Sequence, residues 1–304
     1  GRAVGGSVRF MFPISFFLRA AAAFPDRIAL EADDGLVSYA ELADRVRACA
    51  AAFNALDPDP RGRVAICMGN HVDHAVALLA VLASGKTWIP LTPRSGQAEL
   101  NRIVAFTQPT IIVQDAAAAH WTGSASGFVI QSGGAIEAPV LAFDTLLSRH
   151  RDDPMPEIRA RLDEPQAIKF TGGTTGRSKG VMLSHWNLFA NAMGAPHIMG
   201  NQRNSAQMVV GPMFHLAPGS RIFSAVLLNI HSVIMQRFDV TEMMTLIDRH
   251  RIHSLTLVPT MMHMILAHPD FARYDLSCVG QITLGGSPTP RDLLEKVIAA
   301  FPSA

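Results

Sequence analysis

The densest run of residues able to do chemistry is Phe170-Thr171-Gly172-Gly173-Thr174-Thr175-Gly176-Arg177-Ser178-Lys179-Gly180. Four glycines, three threonines and a lysine fall within these eleven residues. Glycine lets successive backbone N–H groups turn toward one point and lets an anion approach closely. Threonine hydroxyls add donors, and a lysine ammonium adds a point charge suited to phosphate. The composition is that of a polyphosphate cradle. It is not a P-loop: Arg177 and Ser178 separate Gly176 from Lys179, whereas that motif sets its lysine against the last glycine and runs into a helix. Val181 to Leu183 reads as a strand and a helix begins only near Trp186, which predicts strand–loop–strand with no helix dipole on the anion. The G-x-G-x-x-G spacing of a dinucleotide site is absent. The plain alternative is a flexible Gly/Thr surface loop.

Other groups carry less. His71 and His74, and likewise His250 and His253, are three apart and could share a helix face, but neither pair has a third ligand nearby in sequence. Both pairs read as solvated helix positions. H-E-x-x-H does not occur, and Gly285-Gly286-Ser287-Pro288-Thr289 fails the nucleophile elbow at its last position. Cys49, Cys67 and Cys278 are far apart and odd in number, which argues against a disulfide framework or a cysteine zinc site and fits a reducing, cytoplasmic compartment. Trp88, Trp121 and Trp186 are too dispersed for a nucleic-acid stacking platform, and Trp186 is expected to pack under the glycine-rich loop.

The elements that must position these residues follow from periodicity. The chain has 304 residues, 49% of them hydrophobic and 17% charged, enough apolar surface for a packed core. A net charge of +1 with scattered basic residues disfavours binding driven by phosphate neutralisation along nucleic acid. No run of about 18 apolar residues predicts a membrane span. Ile28 to Glu31 and Leu36 to Ser38 flank a turn at Asp33-Asp34-Gly35. Ala40 to Leu56 predicts a helix with Leu42, Val46, Cys49 and Phe53 on one face. Val64 to Met68 predicts a strand, Val72 to Ser84 a helix stopped by Gly85, and Trp88 to Leu91 a strand, which together point to a parallel sheet. Ile111 to Val113 and Phe128 to Ile130 add strands around a small-residue loop, Thr122 to Gly127.

The polar, proline-broken stretch 150–166 is the candidate lobe boundary. Beyond it, strands are expected at Met208 to Val210, Val233 to Gln236, Ser254 to Val258 and Gln281 to Leu284. They alternate with helices at Ser220 to Leu228, Thr241 to His250, Met261 to His268 and Arg291 to Phe301. The fold class is α/β: two αβ lobes with largely parallel sheets flanked by helices, at 11–165 and 166–304. No solenoid repeat is present. At the N-terminus, Arg19 interrupts the apolar run Phe10 to Leu18, which argues against a signal peptide. Phe16, Ala20 and Phe24 instead predict one helix face. Met11 is a candidate native start, with residues 1–10 a non-native remnant.

Against this background, Thr171 to Gly180 resembles the phosphate-loop signature of the adenylate-forming superfamily: acyl-CoA synthetases, peptide adenylation domains and luciferases. Other segments resemble that family in the expected order. They are Ser38-Tyr39-Ala40-Glu41-Leu42, then Leu82 to Leu91, then Pro212-Met213-Phe214-His215 with Gly219, and last Gly285-Gly286-Ser287-Pro288. The third is similar to a segment of the acyl- and aryl-CoA synthetase branch, and the fourth to the turn on which that family's adenine packs. Gly172 stands where many members have serine, Ser178 where proline is usual, and Ser287 where alanine is usual.

The resemblance implies an acyl-CoA synthetase: a carboxylic acid joined to ATP as acyl-adenylate, then passed to CoA. Thr171, Gly172, Gly173, Thr174, Thr175, Gly176 and Lys179 would hold the β- and γ-phosphates, and Gly286, Ser287 and Pro288 would flank the adenine. His215 would orient the carboxylate. Phe214, His215, Val258, Met261 and Met262, with Ile265, would line an apolar acid pocket, the bland alternative for each apolar side chain being core. His215 and Lys179 are thus the candidate catalytic residues. The implied Mg²⁺ has its main carboxylate ligand in a Tyr-Gly-x-Thr-Glu segment that the family places after this point. The ribose-binding aspartate, the hinge and the mobile C-terminal domain with its lysine come later still. The chain therefore reads as the N-terminal portion of such an enzyme. Alternatives are a non-catalytic nucleotide-binding fragment and an enzyme loading a carrier protein. A homodimer is an assembly the resemblance allows; no nucleic-acid partner is expected.

Overall fold

A computed structural model describes residues 12–33, 35–124, 127–171, 179–198, 205–215, 218–219, 221–223, 225 and 229–304. One sheet runs β7-β6-β5-β3-β4-β8-β9. Its strands are β3 (Arg63–Cys67), β4 (Thr87–Leu91), β5 (Ile111–Asp115), β6 (Phe128–Ser132), β7 (Leu141–Ala142), β8 (Pro165–Thr171) and β9 (Lys179–Ser184). A second runs β13-β12-β10-β11-β1-β2, from β1 (Ile28–Ala32), β2 (Gly35–Ser38), β10 (Ala206–Val209), β11 (His231–Ile234), β12 (Ser254–Leu257) and β13 (Gln281–Leu284). Within each sheet every described pairing is parallel except the last: β8 with β9, and β1 with β2.

The helices are α1 (Pro13–Ala23), α2 (Tyr39–Leu56), α3 (Val72–Ser84), α4 (Gln97–Thr107), α5 (Phe143–Arg149), α6 (His185–Ile198), α7 (Val240–His250), α8 (Pro259–Leu266) and α9 (Arg291–Ala300). Local chemistry sets their ends. The Ser38 hydroxyl accepts from the Glu41 N–H at 3.2 Å to start α2, and the Asp239 carboxylate accepts from Glu242 N–H at 2.8 Å to start α7. Gly85 stops α3 at φ +72°, a conformation that favours glycine.

Layering follows from which faces are apolar. In α3 every residue but Asp73 is buried, so this helix has no solvent face and must lie between two apolar surfaces. One core contains α2 and α3 together with Val64, Ile66, Ile111 and Val113 of the first sheet and Leu30, Val209 and Ile234 of the second. On the far side of the first sheet, Leu100 and Ile103 of α4 pack with Trp121 against Ala65, Ile89 and Ile112. On the far side of the second, Met243, Ile247, Met262, Ile265, Leu293 and Val297 from α7, α8 and α9 close a separate core. The order is helix, sheet, helix, sheet, helix.

The α/β class and most elements agree with the sequence reading. The lobe boundary at 165/166 does not divide the sheets. β8 and β9 lie beyond it yet extend the first sheet through β4, and the N-terminal hairpin β1–β2 joins the second sheet through β11. The proline-broken stretch is a crossover linker, not a border between units. The buried face of α1 is Ile14, Phe17, Ala20 and Ala21, while Phe24 is exposed and Phe16 stacks on Phe189, so the Phe16/Ala20/Phe24 face is offset by one residue. α4 escaped the sequence reading because Gly96 gives it no side-chain cap and Phe106 breaks its inward pattern by facing solvent. Of the helix expected at Ser220 to Leu228, only 221–223 and 225 are described, and they are helical.

One buried charge ties two elements together. The Lys86 side chain is fully buried, and its ammonium donates to the Asp57 carbonyl at 2.6 Å and the Asp59 carbonyl at 2.8 Å, with the Asp57 carboxylate at 3.6 Å. The lysine thus satisfies carbonyls just past the end of α2, where the helix dipole favours a cation. Burial lowers its pKa and the Asp57 carboxylate opposes that fall. Lys86→Met leaves these oxygens without their donor, and a loss of roughly 3 kcal/mol is expected by urea unfolding; a loss under about 0.5 kcal/mol would contradict the role.

Candidate functional site

Ligands of open α/β sheets sit at the carboxyl ends of parallel strands. Here the carboxyl ends of both sheets are stitched at one buried side chain. Asn70 follows β3; its amide N–H donates to the Gly211 carbonyl beyond β10 at 3.1 Å and to the Met235 carbonyl beyond β11 at 3.0 Å. Its amide oxygen accepts from Met213 N–H at 2.9 Å. The turn Gly211 to His215 is thereby fixed against the end of β3. His71 and His74 belong to this junction too. His74 is fully buried with its Nδ1 at 2.8 Å from the Gly69 carbonyl, and His71 lies 3.5 Å from the Asp115 carboxylate at the end of β5. Burial pushes the pKa of His74 down to about 4, so it is neutral core and not a solvated helix position.

The hairpin β8–β9 carries the ends of the glycine-rich loop. Thr171 and Lys179 are direct register partners across it. The described strands on either side of 172–178 thus end and begin at neighbouring points, as expected for the two strands. Gly172, Gly173, Thr174, Thr175 and Gly176 lie outside the described residues. Lys179 is exposed. Trp186 is exposed as well and leans on Phe189 at 5.5 Å between ring centroids; the loop it is expected to pack under lies outside the described residues.

His215 stands at the end of the 211–215 turn, its N–H bonded to the Pro212 carbonyl at 2.9 Å and its carbonyl accepting from Gly219 N–H at 3.0 Å. The Phe214 ring lies 4.8 Å from its imidazole. Only glycine fits at 219, since a Cβ there would fall 2.5 Å from the Met213 carbonyl oxygen and 3.2 Å from the Trp88 ring. Partial burial, then the charges of Lys169 and Arg94, hold the His215 pKa below its ordinary value. The imidazole is therefore neutral at pH 7, able to hydrogen-bond a carboxylic group without carrying charge.

Lys169 and Arg94 were not singled out in the sequence. Lys169 is the only charged residue in the otherwise uncharged strand β8, and that break in the pattern was the available signal. Its ammonium sits 4.0 Å from the centre of the Trp88 ring. Burial pushes its pKa down to about 7.

The turn after β13 completes this edge. Gly285 N–H donates to the Leu257 carbonyl at 3.1 Å, and Gly286 has φ +83°. A Cβ on Gly286 would meet the Val258 side chain at 3.3 Å, so Val258 and the 285–288 turn are immediate neighbours. Gly286, Ser287 and Pro288 are exposed, as is Val258. Phe214 and Met261 are half-buried. Met262 and Ile265 depart from the pocket expectation: both are fully buried in the core beneath α8. Pro259 starts that helix at a point where positions three apart, 262 and 265, turn inward.

The buried lysine makes a pH-dependent prediction. With a folded pKa near 7 against about 10.4 unfolded, Lys169 opposes folding fully below pH 7 and progressively less as pH rises toward 10. Lys169→Met should raise the melting temperature by several degrees at pH 7, and the gain should shrink between pH 7 and 10. A constant gain across that range, or a loss at pH 7, would contradict this.

Comparison with known proteins gives the family and relatives of the chain. The profile of the family described as AMP-binding enzyme matches residues 17–304. The chain is 28% identical over 285 residues to a feruloyl-CoA synthase of Amycolatopsis sp, covering 93% of this chain and 56% of that protein. It is 30% identical over 302 residues to 3-[(3aS,4S,7aS)-7a-methyl-1,5-dioxo-octahydro-1H-inden-4-yl]propanoyl:CoA ligase of Rhodococcus jostii, covering 92% of this chain and 58% of that one. It thus spans a little over half the length of these relatives. In fold it matches a Mycobacterium tuberculosis fatty acyl CoA synthetase, with TM-score 0.84, 20% identity and coverage of 97% of this chain and 58% of that chain. The profile match across nearly the whole sequence gives the assignment: the chain belongs to the AMP-binding enzyme family.

Proposed function

We propose that the chain is the nucleotide- and acid-binding portion of an acyl-CoA synthetase. In the first step, a substrate carboxylate oxygen attacks the α-phosphorus of ATP, and pyrophosphate leaves to give the acyl-adenylate. In the second, the CoA thiol attacks the acyl carbon, AMP leaves, and the thiol proton passes to solvent. The observation that carries this reading is the single edge on which Asn70 joins the carboxyl ends of both sheets, with Thr171, Lys179, His215 and Gly286 all borne on segments of that edge.

On this reading Thr171, Thr174, Thr175 and Lys179 hold the β- and γ-phosphates, with Gly172, Gly173 and Gly176 allowing the close approach. Gly286, Ser287 and Pro288 form an exposed turn against which adenine stacks. Neutral His215 orients the acid carboxylate, and Phe214, Val258 and Met261 contact its apolar part. Lys169 and Arg94 add positive potential where two anionic reactants must meet, a charge-stabilising role that supplements geometry. The described residues on this edge offer no oxygen-rich ligand set for Mg²⁺, so no step is assigned to that ion here. The buried cysteines Cys49 and Cys67, their thiol pKa values pushed up by burial, carry no chemistry in this scheme and fit a reducing cytoplasm.

The test is ATP–pyrophosphate exchange by the full-length protein with Mg²⁺ and a panel of acids: ferulate, 4-coumarate, 2-succinylbenzoate and fatty acids of several lengths. Exchange with one class, followed by acyl-CoA formation, is expected. Exchange without transfer to CoA would favour a carrier protein as acceptor, and silence with every acid would favour a nucleotide-binding fragment without catalysis. Lys179→Ala should raise the KM for ATP by at least about tenfold while changing the KM for the acid little. His215→Ala should do the reverse, raising the acid KM. Equal ATP kinetics in Lys179→Ala and the parent would remove the lysine from the phosphate site.

A further inference from the structure

At the opposite, amino-terminal edge of the second sheet, three residues distant in sequence converge. Glu31 comes from β1, His231 opens β11, and His250 closes α7. The Nε2 of His231 lies 3.1 Å from one Glu31 carboxylate oxygen, and the Nε2 of His250 lies 3.1 Å from the other. The two imidazoles meet edge to face with centroids 5.3 Å apart, and one donor atom from each of the three residues falls within 4.8 Å of the others. The sequence reading of His250 as a solvated position is therefore corrected: its side chain is largely buried and meets a carboxylate from a strand more than two hundred residues earlier.

Both Nε2 atoms are buried, and the Glu31 carboxylate 3.1 Å away is the polar group that each of them meets among the described residues. Buried polar nitrogens are normally satisfied. Here two imidazole nitrogens and a carboxylate face one small volume, with each other as polar neighbours. Two ligands each about 2.0–2.1 Å from a tetrahedral ion stand roughly 3.4 Å apart, close to the spacing seen. We propose that Glu31, His231 and His250 form a binding site for a borderline divalent cation of the zinc class.

Two imidazoles and one carboxylate suit Zn²⁺ or Co²⁺ over Mg²⁺ or Ca²⁺, which prefer all-oxygen sets. The carboxyl end of α7, whose last turn carries His250, adds the negative end of its dipole. Of the arginines near the cluster, Arg251 is directed to the Asp275 carboxylate at 2.6 Å. A cavity of about 400 Å³, lined by both histidines, Arg27 and Arg251, borders the cluster and gives solvent access to a fourth coordination position. The site is a tie: it pins the N-terminal hairpin strand to β11 and to the helix on the outer face. It is remote in topology from the nucleotide edge and independent of the reading given to that edge.

The test uses the tag-free, chelator-stripped chain. Zn²⁺ alone should bind at one equivalent in calorimetry and raise the melting temperature. Co²⁺ should give the intense visible absorption of a four-coordinate ion, bleached by Zn²⁺. Losing an outer-shell partner already weakens metal sites 10–100-fold, so Glu31→Gln and His231→Asn should each weaken binding by at least about a hundredfold. The exposed His120→Ala should leave binding intact. The cobalt spectrum of the unaltered chain needs no variant and stands even if a substitution fails to fold. Absence of saturable binding, a weak six-coordinate cobalt spectrum, or equal binding by Glu31→Gln and the parent would overturn the proposal.

Discussion

The burial of α3 on all sides is the constraint from which the architecture follows. A helix written Val-Asp-His-Ala-Val-Ala-Leu-Leu-Ala-Val-Leu-Ala-Ser cannot present a wet face, so it needs apolar surface on both flanks. One sheet supplies one flank and the second sheet the other, and the two become a single packed body sharing that helix. Its only polar side chain in the first turn besides His74 is Asp73, which is held by Arg45 and Ser132. With α3 as the shared ply, the segment leading into it, Gly69 to His71, emerges between the sheets, and Asn70 can reach carbonyls that end β10 and β11.

That junction explains why residues far apart in sequence share one edge. The β8–β9 hairpin, the 211–215 turn, Val258 and the 285–288 turn each follow a different strand, yet all project from carboxyl ends. Close packing fixes their relative positions: Gly219 against Trp88, Gly286 against Val258, Lys169 above the Trp88 ring. The edge also concentrates charge. Among the described residues no acidic group offsets the desolvation of buried Lys169, a destabilising arrangement of the kind found at functional sites.

Much of this was legible in the residues. The 3.6-residue period of α2 and the Gly85 stop of α3 fixed those helices closely, and the loop composition marked the hairpin. Less legible was which sheet each strand joins. β8 and β1 cross to the sheet of the other half, because strand pairing is decided by long-range packing that local pattern does not encode. Met262 shows the same limit in miniature, since an apolar residue one turn into a helix reads alike whether it faces a pocket or a core. Glu31, His231 and His250 were invisible as a group for the same reason, being brought together only by the register of β1 on β11.

Hydrogen exchange of the full-length protein with and without ATP and Mg²⁺ tests the central claim most directly. If one edge built on the shared α3 core binds the nucleotide, backbone amides in two peptides should gain protection together: 165–184, containing the hairpin, and 281–290, containing the turn after β13. Protection confined to neither peptide, or to one with the other unchanged at saturating ATP, would contradict a single nucleotide-binding edge.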